Sequence, residues 1–199
     1  MINLNEKLLR AAHEGNYKVV KLLIENGADI HTINNLALRW AAGNGHYDIV
    51  KLLIENGANM YVWDNEPLQT ASSAGHYKIV KFFIENGADV HAVDDCSLRL
   101  AANNGHYEVV KLLLENGANV NASNDCALRW AAENGRYKIV KLLVENGANI
   151  HACDDCALKW AAKNGHYEVV NYLKSLDQET ITLIKVKGKP DRDWETMID

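Results

Sequence analysis

The chain has 199 residues, 48% of them hydrophobic and 24% charged, with only two prolines and thirteen glycines. That composition is globular; it excludes a disordered, collagen-like or coiled-coil chain and leaves no obvious linker. A formal charge of −5 without any Lys/Arg cluster argues against a surface that follows nucleic-acid phosphates.

The opening residues, Met1 to Glu6, carry no basic segment followed by an apolar one, and every apolar run is soon broken by Lys, Glu or Asn. Neither a leader nor a membrane span is expected, so the expectation is an intracellular, cytoplasmic protein with no membrane contact. Its four cysteines are then expected as free thiols, and the sequon Asn121-Ala122-Ser123 is idle.

An internal repeat organises the rest. Glu25-Asn26-Gly27-Ala28 recurs at Glu55, Glu85, Glu115 and Glu145, always thirty residues on. The pairs Ala11-Ala12, Ala41-Ala42, Ala71-Ser72, Ala101-Ala102, Ala131-Ala132 and Ala161-Ala162 keep the same step, and eleven of the thirteen glycines fall in two columns. Six units result, at about residues 1–30, 31–60, 61–90, 91–120, 121–150 and 151–175. Residues 176–199 form a non-repeat tail.

In chain order, the first unit opens at Asn5, expected as a helix N-cap, with no turn before it. Each later unit reads as two short helices, in the second unit Leu36 to Asn44 and Asp48 to Asn56, each closed by a column glycine able to take a positive φ. The second helix is apolar on two sides at Ile49, Val50, Leu52, Leu53 and Ile54. Helices this short are marginal alone, below about 12–15 residues, so neighbouring units must cover one another. The alanine pairs let adjacent first helices approach closely. In the last unit Asn171-Tyr172-Leu173-Lys174-Ser175-Leu176-Asp177 loses the closing glycine, so both terminal units are expected to cap the stack. In the tail, Thr180 to Val186 reads as strand-like.

The segment Leu38-Arg39-Trp40-Ala41-Ala42-Gly43-Asn44-Gly45-His46-Tyr47, continuing through Leu52-Leu53-Ile54-Glu55-Asn56-Gly57-Ala58, closely resembles the ankyrin repeat, over roughly residues 4 to 175. The uniform copies, with Tyr after His, look most like the arrays of giant DNA viruses. That resemblance implies an all-α solenoid of helix-turn-helix units. It also implies a non-enzymatic protein-binding role through the concave turn and first-helix face, without cofactor, as a monomer, and host-directed in the host cytoplasm if viral. The period is three residues short of the usual ankyrin repeat, so the hairpin turn between units is expected to be shortened. The family's Thr-Pro-Leu-His is absent; Leu36-Ala37-Leu38-Arg39 and Cys126-Ala127-Leu128-Arg129 stand in its place. Arg39, Arg99, Arg129 and Lys159 are expected to bond acidic or amide turn residues such as Asp95 or Asp125. Asn121 stands at a hairpin position that in ankyrin families is a type of hydroxylation site.

Chemical candidates are few. His151 with Cys153 and Cys156 is the one constellation with zinc-binding or redox character, and it lacks a fourth ligand. Cys156 also belongs to a packing column with Cys96 and Cys126, whose members lie on successive units beyond disulfide reach. His46, His76, His106 and His166 form one column, and His31, His91 and His151 another, which points to structural roles. No phosphate loop, nucleophile elbow or catalytic carboxylate pair is present.

The copies differ most in the third unit, at Tyr61, Trp63, Glu66, Pro67, Gln69, Thr70 and Ser73. With the variable positions Asn103 and Glu133, these are the candidate partner-binding residues. Trp40, Trp130 and Trp160 share another column, read as apolar cover between first helices or as a partly exposed aromatic row. Two alternatives to a protein-binding module stand beside it: a zinc or redox protein centred on His151, and a structural scaffold with no specific partner.

Overall fold

A computed structural model describes residues 3–186. Among them are twelve helices in pairs: α1 (Leu4–Glu14) with α2 (Tyr17–Glu25), α3 (Thr32–Gly43) with α4 (Tyr47–Glu55), and α5 (Val62–Ala74) with α6 (Tyr77–Glu85). Then come α7 (Ala92–Asn104) with α8 (Tyr107–Glu115), α9 (Ala122–Glu133) with α10 (Tyr137–Glu145), and α11 (Ala152–Lys163) with α12 (Tyr167–Val186). The odd-numbered helices pack side by side in one row, and the even-numbered helices form a second row against it.

The core lies between the rows. Leu8, Leu38, Leu68, Leu98 and Leu128 from the first helices are buried, and so are Ile49, Ile79, Val109 and Ile139 from the second. Fully burying a side chain of this kind contributes roughly 1.5–3 kcal/mol, repeated in every unit. The alanine pairs are buried throughout the interior, and the closely packed first-helix row depends on them.

All eleven column glycines have positive φ, as their placement after each helix requires. Asn26, Asn56, Asn86, Asn116 and Asn146 reinforce the second helix ends by donating Nδ2 to the carbonyl four residues back, at 2.7 to 2.8 Å. At the other end, Asn16 caps α2 by accepting the Val19 N–H at 3.3 Å.

Three expectations are corrected. The cap of α1 is Asn3, while Asn5 lies inside the helix and accepts the Asp29 N–H at 2.9 Å, because its side chain is needed to hold the exit of α2. The segment Thr180 to Val186 is helical, continuing α12. Asp177 replaces the glycine that ends the other second helices, and nothing between Tyr167 and Val186 breaks the helix, so strand propensity is overridden. The remainder of the tail, 187–199, lies outside the described residues. The arginines, too, pair differently than expected, with backbone of the turns.

Candidate docking face

The turn between units is a run of three left-handed residues: Ile33, Asn34 and Asn35 with φ of 50, 52 and 58°, then Trp63 to Asn65, Val93 to Asp95, Ser123 to Asp125 and Cys153 to Asp155. The turn is shortened so far that no strand forms among the described residues. Asn and Asp tolerate this conformation, which explains the third position of each run. There the side chain turns inward and takes a backbone N–H at the exit of its own unit: Asn35 from Asn59 at 2.9 Å, Asn65 from Asp89 at 3.2 Å, Asp95 from Asn119 at 2.8 Å and Asp125 from Asn149 at 2.7 Å.

Asp95 and Asp125 are therefore occupied and buried, and the arginines do not bond them. Arg99 donates Nε to the Asp94 carbonyl at 3.0 Å and Nη2 to the Val93 carbonyl at 2.8 Å. Arg129 does the same to Asn124 at 3.0 Å and Ser123 at 2.9 Å. Carbonyls in a left-handed run have no regular helical donor, and the planar guanidinium fork reaches two of them together. The carbonyls of the turn, not its acids, are what replaced the Thr-and-His pairing. Each arginine also lies over an aromatic ring of the following unit: Arg99 over Trp130 at 5.9 Å and Arg129 over Trp160 at 5.5 Å from the ring centroids.

The third unit breaks this pattern. Thr70 replaces the tryptophan on the first helix, and its hydroxyl donates to the Pro67 carbonyl at 3.0 Å. Gln69 takes the arginine's place, donating Nε2 to the Asp64 carbonyl at 2.7 Å. Arg39, deprived of a tryptophan at position 70, instead lies 4.2 Å from the Trp63 ring centroid and pairs both guanidinium nitrogens Nε and Nη2 with the Glu66 carboxylate. Glu66 is thus engaged in the fold and holds Arg39 beneath Trp63. Pro67 enters just after the left-handed run, where its missing N–H costs little. Tyr61 and Trp63 stand out on the turn with more than half their surface exposed, the Tyr61 hydroxyl donating to the Asn86 carbonyl at 3.3 Å.

Ser73, Asn103 and Glu133 lie along the first-helix row, each half-buried, and their carbonyls accept from the next unit: Ser73 from His106 Nε2 at 2.9 Å, Asn103 from Arg136 Nε at 3.5 Å and Glu133 from His166 Nε2 at 2.9 Å. Because a carbonyl only accepts, Nε2 carries the proton in these histidines. The histidine column is structural. Trp40 is partly exposed and meets His13 edge to face at 5.3 Å, while Trp130 and Trp160 are half-buried under the arginines. A groove of about 410 Å³ lined by Glu6, Leu9, Arg10, His13 and Trp40 opens at the start of this row.

The zinc or redox reading of His151, Cys153 and Cys156 is not supported by the geometry. His151 Nδ1 faces Asp155 Oδ1 at 2.7 Å, Cys156 Sγ donates to the Cys153 carbonyl at 2.8 Å, and among the described residues no three His, Cys, Asp or Glu side chains are gathered to hold a metal ion. All four cysteines are free thiols. Asn121 gives its Nδ2 to Asp125 at 2.8 Å and to the Gly147 carbonyl at 3.1 Å. No helix among the described residues is long and apolar enough to cross a membrane.

A family model of ankyrin repeats, built as three copies, matches residues 8–94 and again 98–183. The chain belongs to the ankyrin-repeat family. A crystal structure of the human ASB11 ankyrin repeat domain is similar to it, with a TM-score of 0.74 and 31% identity over 84% of this chain and 82% of that one. No curated protein matches the sequence. Ankyrin repeats are protein-protein interaction modules, and on this array the changes in aromatic, amide and hydroxyl side chains fall on the turns and first helices, while the second helices vary at one exposed charged column from Lys18 to Glu168. Two residues that the comparison of copies passed over are Ile33 and Val93, which share the Trp63 column and are exposed. The available signal was an apolar side chain placed inside an otherwise polar turn.

Proposed function

We propose that this chain is a non-enzymatic module that docks a protein partner on its turn and first-helix face, through Tyr61, Trp63, Gln69, Thr70, Ser73, Asn103 and Glu133, with Glu66 setting the pose of Trp63. The observation that carries this reading is the division of the molecule. Apart from one exposed column that switches between Lys and Asp or Glu (Lys18, Asp48, Lys78, Glu108, Lys138, Glu168), second helices repeat one solution in nearly every unit, while the aromatic, amide and hydroxyl changes among exposed positions fall on the turns and first helices. A stacked array presents such a face already ordered, which limits the entropy lost on docking. The acidic balance supports a protein partner over nucleic acid. A host-directed role follows from the likeness to viral arrays, and a cytoplasmic setting from the unbroken repeat of short, polar-interrupted helices.

The test uses Ser73→Lys, Asn103→Lys and Glu133→Lys together; Lys163 occupies the same column, so lysine is compatible with the position. Partners cross-linked to the wild-type chain should be lost from this variant and retained by Lys111→Ala on the second-helix side. Equal capture by all three proteins would defeat the reading.

A further inference from the structure

The tips of the second, third and fourth units carry Ile33, Trp63 and Val93 at one repeat position, 60%, 57% and 51% exposed. Tyr61, 53% exposed, stands beside them. Each of the three sits at the first left-handed residue of its turn, with φ of 50, 46 and 54°. A β-branched residue such as Ile or Val is a strong outlier there, and Asn or Gly would hold the same backbone at lower cost. Backbone preference therefore does not account for apolar side chains at these points, and of the three only Trp63, over Arg39, has a ring contact.

The surroundings are equally uneven in charge. Segments 29–35, 59–65 and 89–95 contain Asp29, Asp64, Asp89, Asp94 and Asp95 and not one lysine or arginine. Arg39 and Arg99 lie below the tips, the first paired with Glu66 and the second spent on the carbonyls of Val93 and Asp94. The exposed carboxylates of Asp64 and Asp94 directly follow the tips Trp63 and Val93, and Asp94 Oδ2 also accepts the Ser123 hydroxyl.

We infer that Ile33, Trp63 and Val93 form a docking ridge for a polyproline II segment of a partner protein that carries apolar side chains at every third residue with lysine or arginine between them. Adjacent units are spaced by about one helix packing distance, roughly 8–10 Å. Three residues of polyproline II make one turn of about 9 Å and bring the side chain back to the same face, so one apolar residue meets each tip. The basic residues between them meet Asp64 and Asp94. Trp63 is the anchor, because the Arg39 guanidinium beneath it and the Glu66 pair fix the ring before binding. This inference rests on the docking reading and names the chemistry of its partner.

The test measures anisotropy of three labelled peptides on the whole chain: leucine at every third residue with lysine between, the same with glutamate for lysine, and leucine at every second residue with the same lysines. The first should bind about tenfold more tightly than either control. Trp63→Ala should weaken it by about thirtyfold or more. Ile33→Asn with Val93→Asn should weaken it by about tenfold while leaving the melting temperature at or above that of the wild type, since asparagine suits the left-handed turn. Equal binding of the three peptides, or a first peptide indifferent to either variant, would overturn the ridge. If those peptides fail while a cross-linked partner is still lost on the Ser73, Asn103 and Glu133 variant, the ridge alone falls; loss of that discrimination as well removes the docking reading itself.

Discussion

His106 reaches back across the unit boundary to donate its Nε2 proton to the Ser73 carbonyl at 2.9 Å, and its ring fills the space above Gly75. A β-carbon on Gly75 would stand 2.4 Å from His106 Nδ1, and the glycine itself has φ of 79°. Gly75 is thus required twice, by its backbone and by its neighbour's ring. Gly165 has nearly the same backbone, φ of 76°, with nothing among the described residues within 4 Å of the added carbon.

These two glycines separate the two costs. Gly165→Ala should lose only the left-handed penalty, about 1–2 kcal/mol. Gly75→Ala should lose that and a further 1–3 kcal/mol, roughly, for displacing the imidazole. Urea unfolding of the two variants checks it, and equal losses would mean that the histidine moves aside freely.

Arg129 ties together its own turn and the next unit, holding the carbonyls of Ser123 and Asn124 while lying over Trp160. Arg129→Ala leaves both carbonyls without that donor and should cost about 1–3 kcal/mol. Arg129→Lys should recover less than half of it, because a single ammonium cannot span two carbonyls or stack as a plane. Denaturant midpoints of the three proteins, measured with unchanged slopes, decide between them.

The register, the glycine ends of helices and the two-helix unit were legible in the sequence because each follows from spacing: a thirty-residue step that places small, apolar and glycine columns can be read without coordinates. The turn was not legible in the same way. Arg99 and Asp95 are close in sequence and opposite in charge, so a pairing was the simple expectation, yet three successive left-handed residues aim Asp95 inward and present carbonyls to the arginine instead. Propensity alone does not foresee Val93 in that conformation. The candidate site shows the same limit. Trp63 and Tyr61 stand out by comparison of copies, but the role of Glu66 depends on Arg39 in the preceding unit, 27 residues away, and only the fold brings them together.

Ser72 occupies a position that is alanine in the five other units. It is fully buried, and its hydroxyl has no hydrogen-bond partner among the described residues. Ser72→Ala removes a desolvated polar group from between two first helices while preserving the close approach. It should raise stability by about 1–2 kcal/mol. A calorimetric scan showing no rise would mean that the hydroxyl is satisfied by water.

The cysteines make a graded prediction of thiol chemistry. Cys153 is exposed at the tip of the last turn, Cys96 is half-buried, and Cys126 is only 4% exposed. Burial pushes the Cys96 thiol above its ordinary value; the nearby Arg99 charge opposes this, and Cys126 adds to it. Less Cys96 thiolate is therefore present near neutral pH than an ordinary cysteine would carry, and Cys126 is shielded whatever its ionisation. Iodoacetamide at pH 7.5 should modify Cys153 first and Cys126 last, the latter at a rate set by opening of the stack. Raising the pH should accelerate Cys96 over a higher range than a free thiol, because its folded-state ionisation is displaced upward. Peptide mass mapping over time measures all of these rates, and modification of Cys126 as fast as Cys153 would show that the units separate far more readily than their packing allows.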